Sequence, residues 1–574
     1  MSILSGRSLA SIARCFSWPA VPVVSSGLAA HLLLPATDYV IWDGWWQFAD
    51  ISWPEGPVIT RHHLAEVGRP LDLFYYAPFR AIGAFDTRVW LSKTLAVALW
   101  IGSACLMLGV MLRCARLPRD IAVATAAAVA TSPVFAVLGE FSLWMYTAAV
   151  FLFWLAWFAL IHLPRTISGA ALLARTVVWV LFFASFNLNS QLVAFYAVSA
   201  CLVASRLPSW RFREGLRLAA AYAFRFWDFL LLPLVFWGWK KICTPSTGAY
   251  ADYNEVSLSL PRLAVGAGEM SHDLLLPWIR NPLTSDKWLL AAGLVAIPIY
   301  RATRGRQPES HPSQYWSLAL LSSGLFLLAA NAFPYLTVGQ VPSSSGWSSR
   351  NAILMPLPLA LLAIGAALGL SSKLPSATRH AWVAVAAMWI VLNVGACWRN
   401  YLALQGFGAK QDSIAARLRA EIDRTSAAVV QLRDYFPVPA TIPYYPPSIW
   451  TFLPTRGSLT PRALVFEVSG ALPDQQETDA GGNAVVVFPR VLLTQKVLNA
   501  MIEQTTLGYA MRDIPRVGPH ILLCIRPTTS TRNGAALGAA YLWRKWARPD
   551  SVEDFVRELT RGESIELPEV RPEP

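Results

Sequence analysis

Two aspartates, Asp38 and Asp43, directly follow the first apolar stretch of the chain, and tryptophans flank the second of them. A carboxylate between apolar rings is poorly solvated, which raises its affinity for a proton and suits general base catalysis. Ionisable groups beside a bilayer are candidates for function, because they are costly to place there. From the residues alone, an ordinary acidic loop at a membrane surface is an equally good interpretation of this pair.

A cation that could complement such a carboxylate stands in the segment Glu66-Val-Gly-Arg-Pro-Leu71. Gly68 and Pro70 predict a turn that presents the guanidinium of Arg69 between them. Arginine is suited to phosphate, which it binds through two parallel hydrogen bonds. A salt bridge between Arg69 and an acid of the same loop is the alternative.

Two further pairs favour structure over chemistry. His62 and Glu66 are four residues apart and could share a metal ion on a helix, but two ligands are too few for a metal site. Arg225 and Asp228 are three residues apart near the end of a span, which predicts a structural ion pair. The 7 cysteines are scattered without a C-x-x-C pair, so they predict neither a metal cluster nor a disulfide framework.

The elements that must position these residues are mostly apolar. Of the 574 residues, 55% are hydrophobic and 14% charged, whereas about 25% are charged in an ordinary soluble domain. The 25 Trp and 17 Tyr suit a protein with many positions at a membrane interface. The net charge is +13, and the basic residues stand in short clusters between apolar runs. This pattern is typical of loops that set membrane topology and not of a basic stripe that binds nucleic acid.

The apolar runs predict an α-helical polytopic membrane protein with about 11 transmembrane helices, since about 20 residues are needed to cross a bilayer. Arg7 and Arg14 precede the first run, which is long enough to remain as an uncleaved signal anchor. The predicted spans are 16–36, 89–112, 121–138, 143–163, 175–188, 191–205, 218–238, 288–300, 315–334, 351–371 and 381–398.

The short runs 175–188 and 191–205 could form one helix, but two helices joined at 187–191 are the better prediction. Only then do all the basic loop clusters face the cytoplasm, as the positive-inside rule requires. The N-terminus is then cytoplasmic, and the two longest loops, 37–88 and 239–287, lie on the outer face. Function is expected on that face, because charge, length and aromatic content are concentrated there.

The outer loops carry both signs of charge. Loop 37–88 is rich in acids: Asp38, Asp43, Asp50, Glu55, Glu66, Asp72 and Asp86. The positive-inside rule does not explain the later cations of this face: Lys240, Lys241, Arg262 and Arg350. They could bind a lipid phosphate, or they could only reach headgroups as long side chains at a membrane surface do.

The composition changes after the last predicted span, which ends the transmembrane domain at 1–398. Residues 399–574 are polar enough for a soluble domain, with a helical pattern at 412–424 and short β-rich runs at 427–435, 463–468, 484–488 and 520–525. This pattern predicts a small α/β domain. The odd number of spans places it outside the membrane, and the Pro-rich end, 568–574, is expected to be disordered.

The pattern resembles the GT-C superfamily of membrane glycosyltransferases over most of the first 400 residues. The long first outer loop with its aspartates, the many spans and the final outer domain carry the general likeness. The local motifs look like those of bacterial enzymes that glycosylate O-antigen and, more distantly, of protein O-mannosyltransferases and aminoarabinose transferase. These motifs are Asp43-Gly-Trp-Trp, Gly68-Arg69-Pro70-Leu71, Lys240-Lys241 and Tyr253-Asn254.

The resemblance implies an inverting glycosyltransferase at the outer face of a bacterial inner membrane, with its C-terminal domain in the periplasm. The donor would be a polyprenyl-phosphate sugar, and the acceptor a hydroxyl of a glycan, lipid or protein. Asp43 is the favoured base, with Asp38 close behind, because an attacking hydroxyl must lose its proton. No cofactor is implied firmly, although a divalent metal is compatible with the chemistry.

Further roles follow from the same resemblance. The phosphate of the leaving lipid needs cations, for which the candidates are Arg69, Lys240, Lys241 and Arg350. Contacts to the substrates are expected from Glu66, Glu140, Gln191, Tyr253 and Asn254.

Two other classes of function stay open. A transporter or flippase for a lipid-linked saccharide would place ionisable residues at the bilayer midplane and often shows internal repeats, and few such charges and no repeat are visible here. A polysaccharide polymerase or ligase also uses outer loops and arginines, but an early loop rich in aspartate is less expected of it.

Overall fold

The computed structural model of the protein describes residues 19–40, 56–82, 84–115, 117–134, 136, 138–163, 168–189, 191–206, 212–247, 255–303, 313–374, 381–434, 463–467, 475–478, 484–487, 518–528 and 533–570. Contacts between residues divide the chain into two compact units. The first comprises 1–37, 64–78 and 86–401, and the second comprises 38–63, 79–85 and 402–574. Two segments of loop 37–88 therefore belong to the second unit. The domain boundary predicted from the sequence, at residue 398, instead places the whole loop in the transmembrane domain.

The chain is mostly helical up to residue 425. The helices in this part are α1 (Ala20–His31), α2 (Gly56–Glu66), α3 (Leu73–Arg80), α4 (Phe85–Arg113), α5 (Arg119–Ala130), α6 (Trp144–Leu160), α7 (Gly169–Leu188), α8 (Leu192–Ala204), α9 (Phe212–Arg225), α10 (Trp227–Cys243), α11 (Leu260–Met270), α12 (Leu276–Leu283), α13 (Asp286–Thr303), α14 (Ser313–Thr337), α15 (Pro356–Ser372) and α16 (Ala381–Thr425).

Five helical stretches among the described residues are long and apolar enough to cross a membrane: Phe85–Arg113, Phe141–Leu160, Gly169–Leu188, Gln314–Thr337 and Ala381–Thr425. A sixth is added if the bent pair Gly215–Arg225 and Trp227–Cys243 is counted as one span. Shorter apolar helices occur at Ala20–Ala36, Leu192–Ala204, Lys287–Ile299 and Pro356–Ser372. The protein is thus a helical membrane protein, and the prediction of eleven spans is not confirmed.

The prediction of two helices across 175–205 is confirmed. Ser168 caps the start of α7 by accepting a hydrogen bond from the backbone N–H of Ala171. Helix α7 ends at Leu188, because Asn189 adopts an extended conformation (φ −152°, ψ 127°), and α8 begins at Leu192. The break therefore falls within the polar segment that was expected to hold it.

Aromatic packing fixes this break against α6. Trp157 of α6 stacks on Phe195 of α8 with ring centroids 5.2 Å apart, and it meets Phe182 of α7 edge to face at 5.6 Å. Phe182 and Phe195 are both fully buried. The Ser185 hydroxyl also donates to the Ala149 carbonyl at 2.9 Å. These contacts hold the end of α7 in place, and with it the polar side chains that follow.

The predicted span 218–238 is interrupted. Helix α9 ends at Arg225 and α10 starts at Trp227, with a bend of 69° between them. The predicted ion pair between Arg225 and Asp228 is wrong for the same reason, since side chains three residues apart are neighbours only on a continuous helix. Asp228 instead pairs with Arg175 of α7, whose Nε donates to Oδ2 at 2.7 Å.

Loop 239–287 is largely helical. Helices α11 and α12 are joined by a π turn at Ser271–Leu275, so that one helical run covers Leu260 to Leu283. Met270 and Leu274 of this run belong to a buried cluster with Leu328 and Leu336 of α14. An amphipathic pattern that packs its apolar side on α14 explains why the run folds as a helix.

The second unit has the predicted α/β character. Its strands are β1 (Val429–Asp434), β2 (Leu464–Glu467), β3 (Gln475–Thr478), β4 (Ala484–Val487), β5 (Gly518–Pro527) and β6 (Thr560–Val570), and its helices are α17 (Gly534–Ala547) and α18 (Val552–Glu558). One sheet has the order β2-β1-β5-β6, in which β6 alone is antiparallel to its neighbour. Strands β3 and β4 form a separate antiparallel pair.

Two boundaries differ from the predictions. The helix expected at 381–398 continues without a break to Thr425, so the helical pattern at 412–424 is its last part. The tail from Pro568 was expected to be disordered, but β6 extends to Val570. Pro568 is tolerated there because β6 is an edge strand, and the register with β5 shifts at this point. Residues 571–574 lie outside the described part of the chain.

Glycines let α17 approach the middle of α16 closely, in the part of α16 that belongs to the second unit. A Cβ atom at Gly538 would overlap the Leu402 carbonyl oxygen, whereas one at Gly534 would come no nearer than 3.5 Å to any atom. We expect Gly538→Ala to lower the free energy of unfolding by about 1–3 kcal/mol, because overpacking forces the two helices apart. Thermal unfolding followed by scanning fluorimetry checks this, with Gly534→Ala as the matched control. Equal melting temperatures for the two variants would contradict the close approach.

Candidate functional site

A helix-ending turn presents Arg69. The N–H of Gly68 bonds to the Ala65 carbonyl at 3.0 Å, and that of Arg69 bonds to the Leu64 carbonyl at 2.7 Å. Together with the left-handed φ of +74° at Gly68, this is the Schellman motif that commonly ends a helix at glycine. The predicted turn at Gly68-Arg69-Pro70 is therefore present, and Pro70–Asp72 continues it as a short 3-10 helix.

The loop that follows α10 packs on this turn. The N–H of Thr247 donates to the Glu66 carbonyl at 2.8 Å, and a Cβ atom at Gly68 would lie 2.7 Å from the Thr244 carbonyl oxygen. Only glycine permits both this approach and the backbone conformation. The contact brings the end of α10, with Lys240 in its last turn, beside the turn that carries Arg69.

Asp72 is the buried acid of this assembly. It lies at the end of the 3-10 helix and is 1% exposed. Its Oδ1 accepts a hydrogen bond of 3.0 Å from Nδ2 of Asn187, in the last turn of α7. Arg69 and Lys240 both lie close enough to act on its charge. Three elements far apart in the chain thus converge on one carboxylate.

Burial dominates the electrostatics of Asp72. It raises the pKa of this carboxyl from 3.8 to about 6, although Arg69, Lys240 and the hydrogen bond from Asn187 act in the opposite direction. Burial and the charge of Asp72 also raise the pKa of Tyr75, which keeps its phenol protonated. A carboxylate whose pKa lies just below neutrality is ionised at pH 7 and still has a useful affinity for a proton.

A second set of polar groups lies at the break between α7 and α8. The side chain of Asn189 is adjacent to the Tyr335 hydroxyl, and Arg69 and Arg350 both act on that hydroxyl. Gln191 is fully buried, and its Oε1 accepts from Ser185 at 3.4 Å. Its Nε2 has no hydrogen-bond partner among the described residues. Arg350, on the 3-10 helix Trp347–Ala352, therefore shares this region with Arg69.

Asn187 is expected to set the protonation of Asp72. Its hydrogen bond favours the ionised carboxylate, so Asn187→Ala should raise the pKa of Asp72 further above about 6. If Asp72 acts as a base, the acidic limb of kcat/KM against pH moves to higher pH in this variant. The measurement is a pH profile of transfer from pH 5 to 9, with Asn393→Ala as a buried-asparagine control on α16. Unchanged pH profiles in both variants would show that Asn187 does not influence the pKa of the carboxylate that acts as the base.

The remaining predicted residues are distributed differently. Lys241 is exposed, unlike its neighbour Lys240. Glu66 is half-buried and holds the loop after α10 through its backbone carbonyl. Glu140 is 1% exposed and precedes the 3-10 turn Phe141–Leu143, but it is not among the described charges that act on Asp72. Arg262 packs its guanidinium against Gly339.

Asp38 lies in a network of the second unit. Its Oδ1 accepts from Nε2 of Gln405 at 2.7 Å, and its Oδ2 accepts from the Tyr541 hydroxyl at 2.9 Å and from Nζ of Lys545 at 2.7 Å. Its own N–H donates to Oε1 of Gln405 at 2.9 Å. Both carboxylate oxygens are thus used to tie residue 38 to α16 and α17, which is the setting of a structural residue.

Three predicted site residues lie outside the described part of the chain: Asp43, Tyr253 and Asn254. Within that part, no group of three or more His, Cys, Asp and Glu side chains could hold a metal ion. The pair His62 and Glu66 is accordingly not joined there by a third ligand.

Sequence reasoning assigned no role to several residues of this region. Asp72 appeared only as one acid of a loop, and Asn187 only as part of a helix break. The available signal for Asp72 was its position three residues after Arg69. Lys93 was also missed: it is fully buried in α4, and its Nζ donates to Thr37 Oγ1 at 2.9 Å and to the Thr37 carbonyl at 3.1 Å. A lysine inside an apolar helix was a visible signal for it.

The arrangement can take a proton at Asp72 and attract an anion at Arg69 and Lys240. Carboxylates and cations brought together by burial are typical of active sites. Comparison with known proteins does not show the family of this chain, because no protein-family model, curated protein or solved structure matches it.

Proposed function

We propose that the protein is an integral-membrane glycosyltransferase of GT-C type, which moves a sugar from a polyprenyl-phosphate donor to an acceptor hydroxyl. The single observation that carries this function is the convergence of one buried carboxylate, Asp72, with the cations of Arg69 and Lys240 at the ends of the apolar helices α7 and α10. Such a site serves a substrate that has both an acidic phosphate and a lipid chain.

The proposed step follows from the charges. The acceptor oxygen attacks the anomeric carbon and forms the new glycosidic bond while its proton passes to a carboxylate oxygen of Asp72. The bond between the anomeric carbon and the phosphate oxygen breaks, and the lipid phosphate leaves with the electron pair. Its growing negative charge is stabilised by Arg69 and Lys240. Attack opposite the leaving group inverts the anomeric configuration.

Polar groups at the break between α7 and α8 would orient the sugar. The buried Nε2 of Gln191 is a donor that has no hydrogen-bond partner among the described residues, and a buried donor without a partner is unfavourable until a ligand supplies one. Asn189, Tyr335 and Arg350 belong to the same region. The hydroxyl groups of a sugar are acceptors and donors of the required kind.

Asp72 is the base that this geometry favours among the three aspartates considered. Asp38 already accepts hydrogen bonds from three side chains, so its oxygens are occupied. Asp43 lies outside the described residues and keeps the role predicted from the sequence as the rival base. The outer face of a bacterial inner membrane remains the proposed location, and the C-terminal domain the proposed periplasmic part.

The test is transfer by the purified full-length protein in nanodiscs, with radiolabelled polyprenyl-phosphate sugars as donors and a mixture of glycan acceptors. Transfer with inversion at the anomeric carbon supports the proposal. Movement of the labelled lipid across a vesicle membrane without any transfer would replace it with the flippase. Absence of both activities across glucose, mannose, galactose and aminoarabinose donors would overturn it.

A further inference from the structure

Helix α9 is an amphipathic segment that the proposed reaction does not use. It is joined through the single residue Phe226 to α10, and the two helices meet at 69°. A run of two helices at this angle cannot cross a bilayer as one straight span. The question is therefore what surrounds α9.

The two sides of α9 differ in chemistry. At 100° per residue, Ala219, Ala223 and Leu216 lie within an arc of about 60°, and Arg213 and Arg217 follow at about 60° and 100° from Leu216, along one edge of that apolar arc. Leu216 is 62% exposed, so the described residues leave most of this side chain uncovered. The helix carries three arginines against one acid, Glu214. An apolar side flanked by cations is the pattern of a helix that lies in a membrane interface.

The length of α10 indicates where α9 would lie relative to a bilayer. With 17 residues, α10 has a length of about 25 Å, close to the thickness of the hydrocarbon core. Leu234 and Trp237 are more than half exposed along it, as residues that contact lipid would be. Lys240 and Lys241 mark its far end. Helix α10 is therefore long enough to cross a bilayer by itself, which would place its near end, and α9 with it, at a membrane surface.

The bend itself is braced. Arg175 of α7 donates through Nε to Asp228 Oδ2 at 2.7 Å and through its terminal nitrogen to the Arg225 carbonyl at 2.9 Å. The Arg225 guanidinium lies over the Phe226 ring, 4.9 Å from its centroid. One arginine thus ties the last residue of α9 and the first turn of α10 to a third helix. This makes the angle a fixed feature of the fold.

We propose that α9 lies along the membrane surface, with Leu216 and its neighbours in the headgroup boundary, and that Arg213 and Arg217 bind the phosphates of anionic phospholipids. The arginine charge and the direct continuity with a lipid-exposed helix specify a bilayer surface as the occupant. Lipid phosphates are the anions that such a surface offers. The site lies on a helix that contributes no residue to the cluster around Asp72.

Photocrosslinking tests where α9 lies. Benzoylphenylalanine is introduced at position 216 or at position 217 of the full chain, the protein is placed in nanodiscs, and lipid adducts are measured by mass spectrometry. Position 234 of α10 is the positive control. We expect several-fold more lipid adduct at 216 than at 217. Equal yields at both positions, no lipid adduct at 216, or adducts of 216 with a second protein chain would each overturn the proposal.

Lipid retention tests the arginines. In nanodiscs of phosphatidylcholine with phosphatidylglycerol, the double variant Arg213→Gln, Arg217→Gln should retain several-fold less phosphatidylglycerol after extraction than the wild type, as measured by native mass spectrometry. The double variant Arg548→Gln, Arg561→Gln removes the same charge from the second unit and should retain as much as the wild type. Equal retention by all three proteins would overturn the assignment of Arg213 and Arg217.

Discussion

Replacing Asp72 by asparagine should lower the rate of sugar transfer by about 10²–10⁴-fold, the contribution of a general base. Asparagine has the same shape, and its carbonyl oxygen can still accept the hydrogen bond from Asn187, so the turn should be kept. The measurement is transfer from the polyprenyl-phosphate sugar by purified variants in nanodiscs. Asp86→Asn, which changes an exposed acid of the same predicted loop, is the control and should keep full activity.

The rival aspartates are tested in the same assay. Asp38→Asn should keep transfer within a few-fold, because Asp38 binds α16 and α17 of the second unit, and it should lower the melting temperature. If Asp43→Asn abolishes transfer while Asp72→Asn keeps it, the base is the aspartate predicted from the sequence and the role of Asp72 is structural. Full transfer in both variants would leave the reaction without an aspartate base.

The pH dependence of the wild type follows from the same carboxyl. A base must be unprotonated, so kcat/KM should rise with pH and level off above the pKa of Asp72, which is about 6. The contribution of Asp72 to stability changes with pH in the opposite direction. Since the folded-state pKa lies above the ordinary 3.8, the folded protein holds this proton more tightly than the unfolded chain. Stability from this group is therefore present near pH 4 and lost as the pH rises to about 6.

The direction in which the ionisation of Asp72 changes stability distinguishes a functional acid from a structural one. The pKa of Asp72 is about two pH units higher in the folded protein than in the unfolded chain. Since one pH unit corresponds to 1.36 kcal/mol, ionising Asp72 opposes folding by on the order of 3 kcal/mol. Asp72→Asn should consequently melt at a higher temperature than the wild type at pH 7.5 while losing transfer, as replacements of active-site residues often do. A lower melting temperature would indicate that the two cations need Asp72 for folding.

The second large effect is expected from adjacent lysines. Lys240→Gln should reduce kcat by about 10²–10³-fold, the loss expected when a donor to developing charge is removed. Lys241→Gln should change kcat by less than about threefold, in the range of an exposed charge. The two side chains differ by 100° around α10, so only Lys240 faces Arg69 and Asp72, whereas Lys241 is exposed.

These lysines form a matched pair, because each substitution removes one positive charge from the same helix turn. The experiment measures kcat and KM at two ionic strengths. Equal losses in both variants would show that the net charge of the region matters and that the contact of Lys240 with the donor phosphate does not. No loss in either variant would remove Lys240 from the proposed phosphate site.

Local sequence was sufficient for several features. The apolar composition predicted a helical membrane protein, and the structure confirms that class while leaving the number of spans open. The order of Gly68, Arg69 and Pro70 predicted a turn, since glycine permits the left-handed backbone and proline ends the helix. The polar run at 187–191 predicted the break between α7 and α8. Each of these depends on neighbours within a few residues.

Tertiary structure decided which charged residues meet. Asp72 and Asn187 are 115 positions apart, and the burial that alters the acid comes from packing that no local pattern contains. The same holds for Asp38, whose partners Tyr541 and Lys545 are more than 500 positions away. The bend at Phe226 likewise redirected Asp228 to Arg175.

The sequence by itself predicted a helical membrane protein with acids and cations in the segments between its apolar runs, and it predicted the turn that presents Arg69. Only the folded chain decided that Asp72 is buried between cations while Asp38 is tied to the C-terminal unit. The physical reason is that helix and turn formation depend on backbone geometry over a few residues, whereas the charge state of a carboxyl depends on everything within several ångströms of it in space.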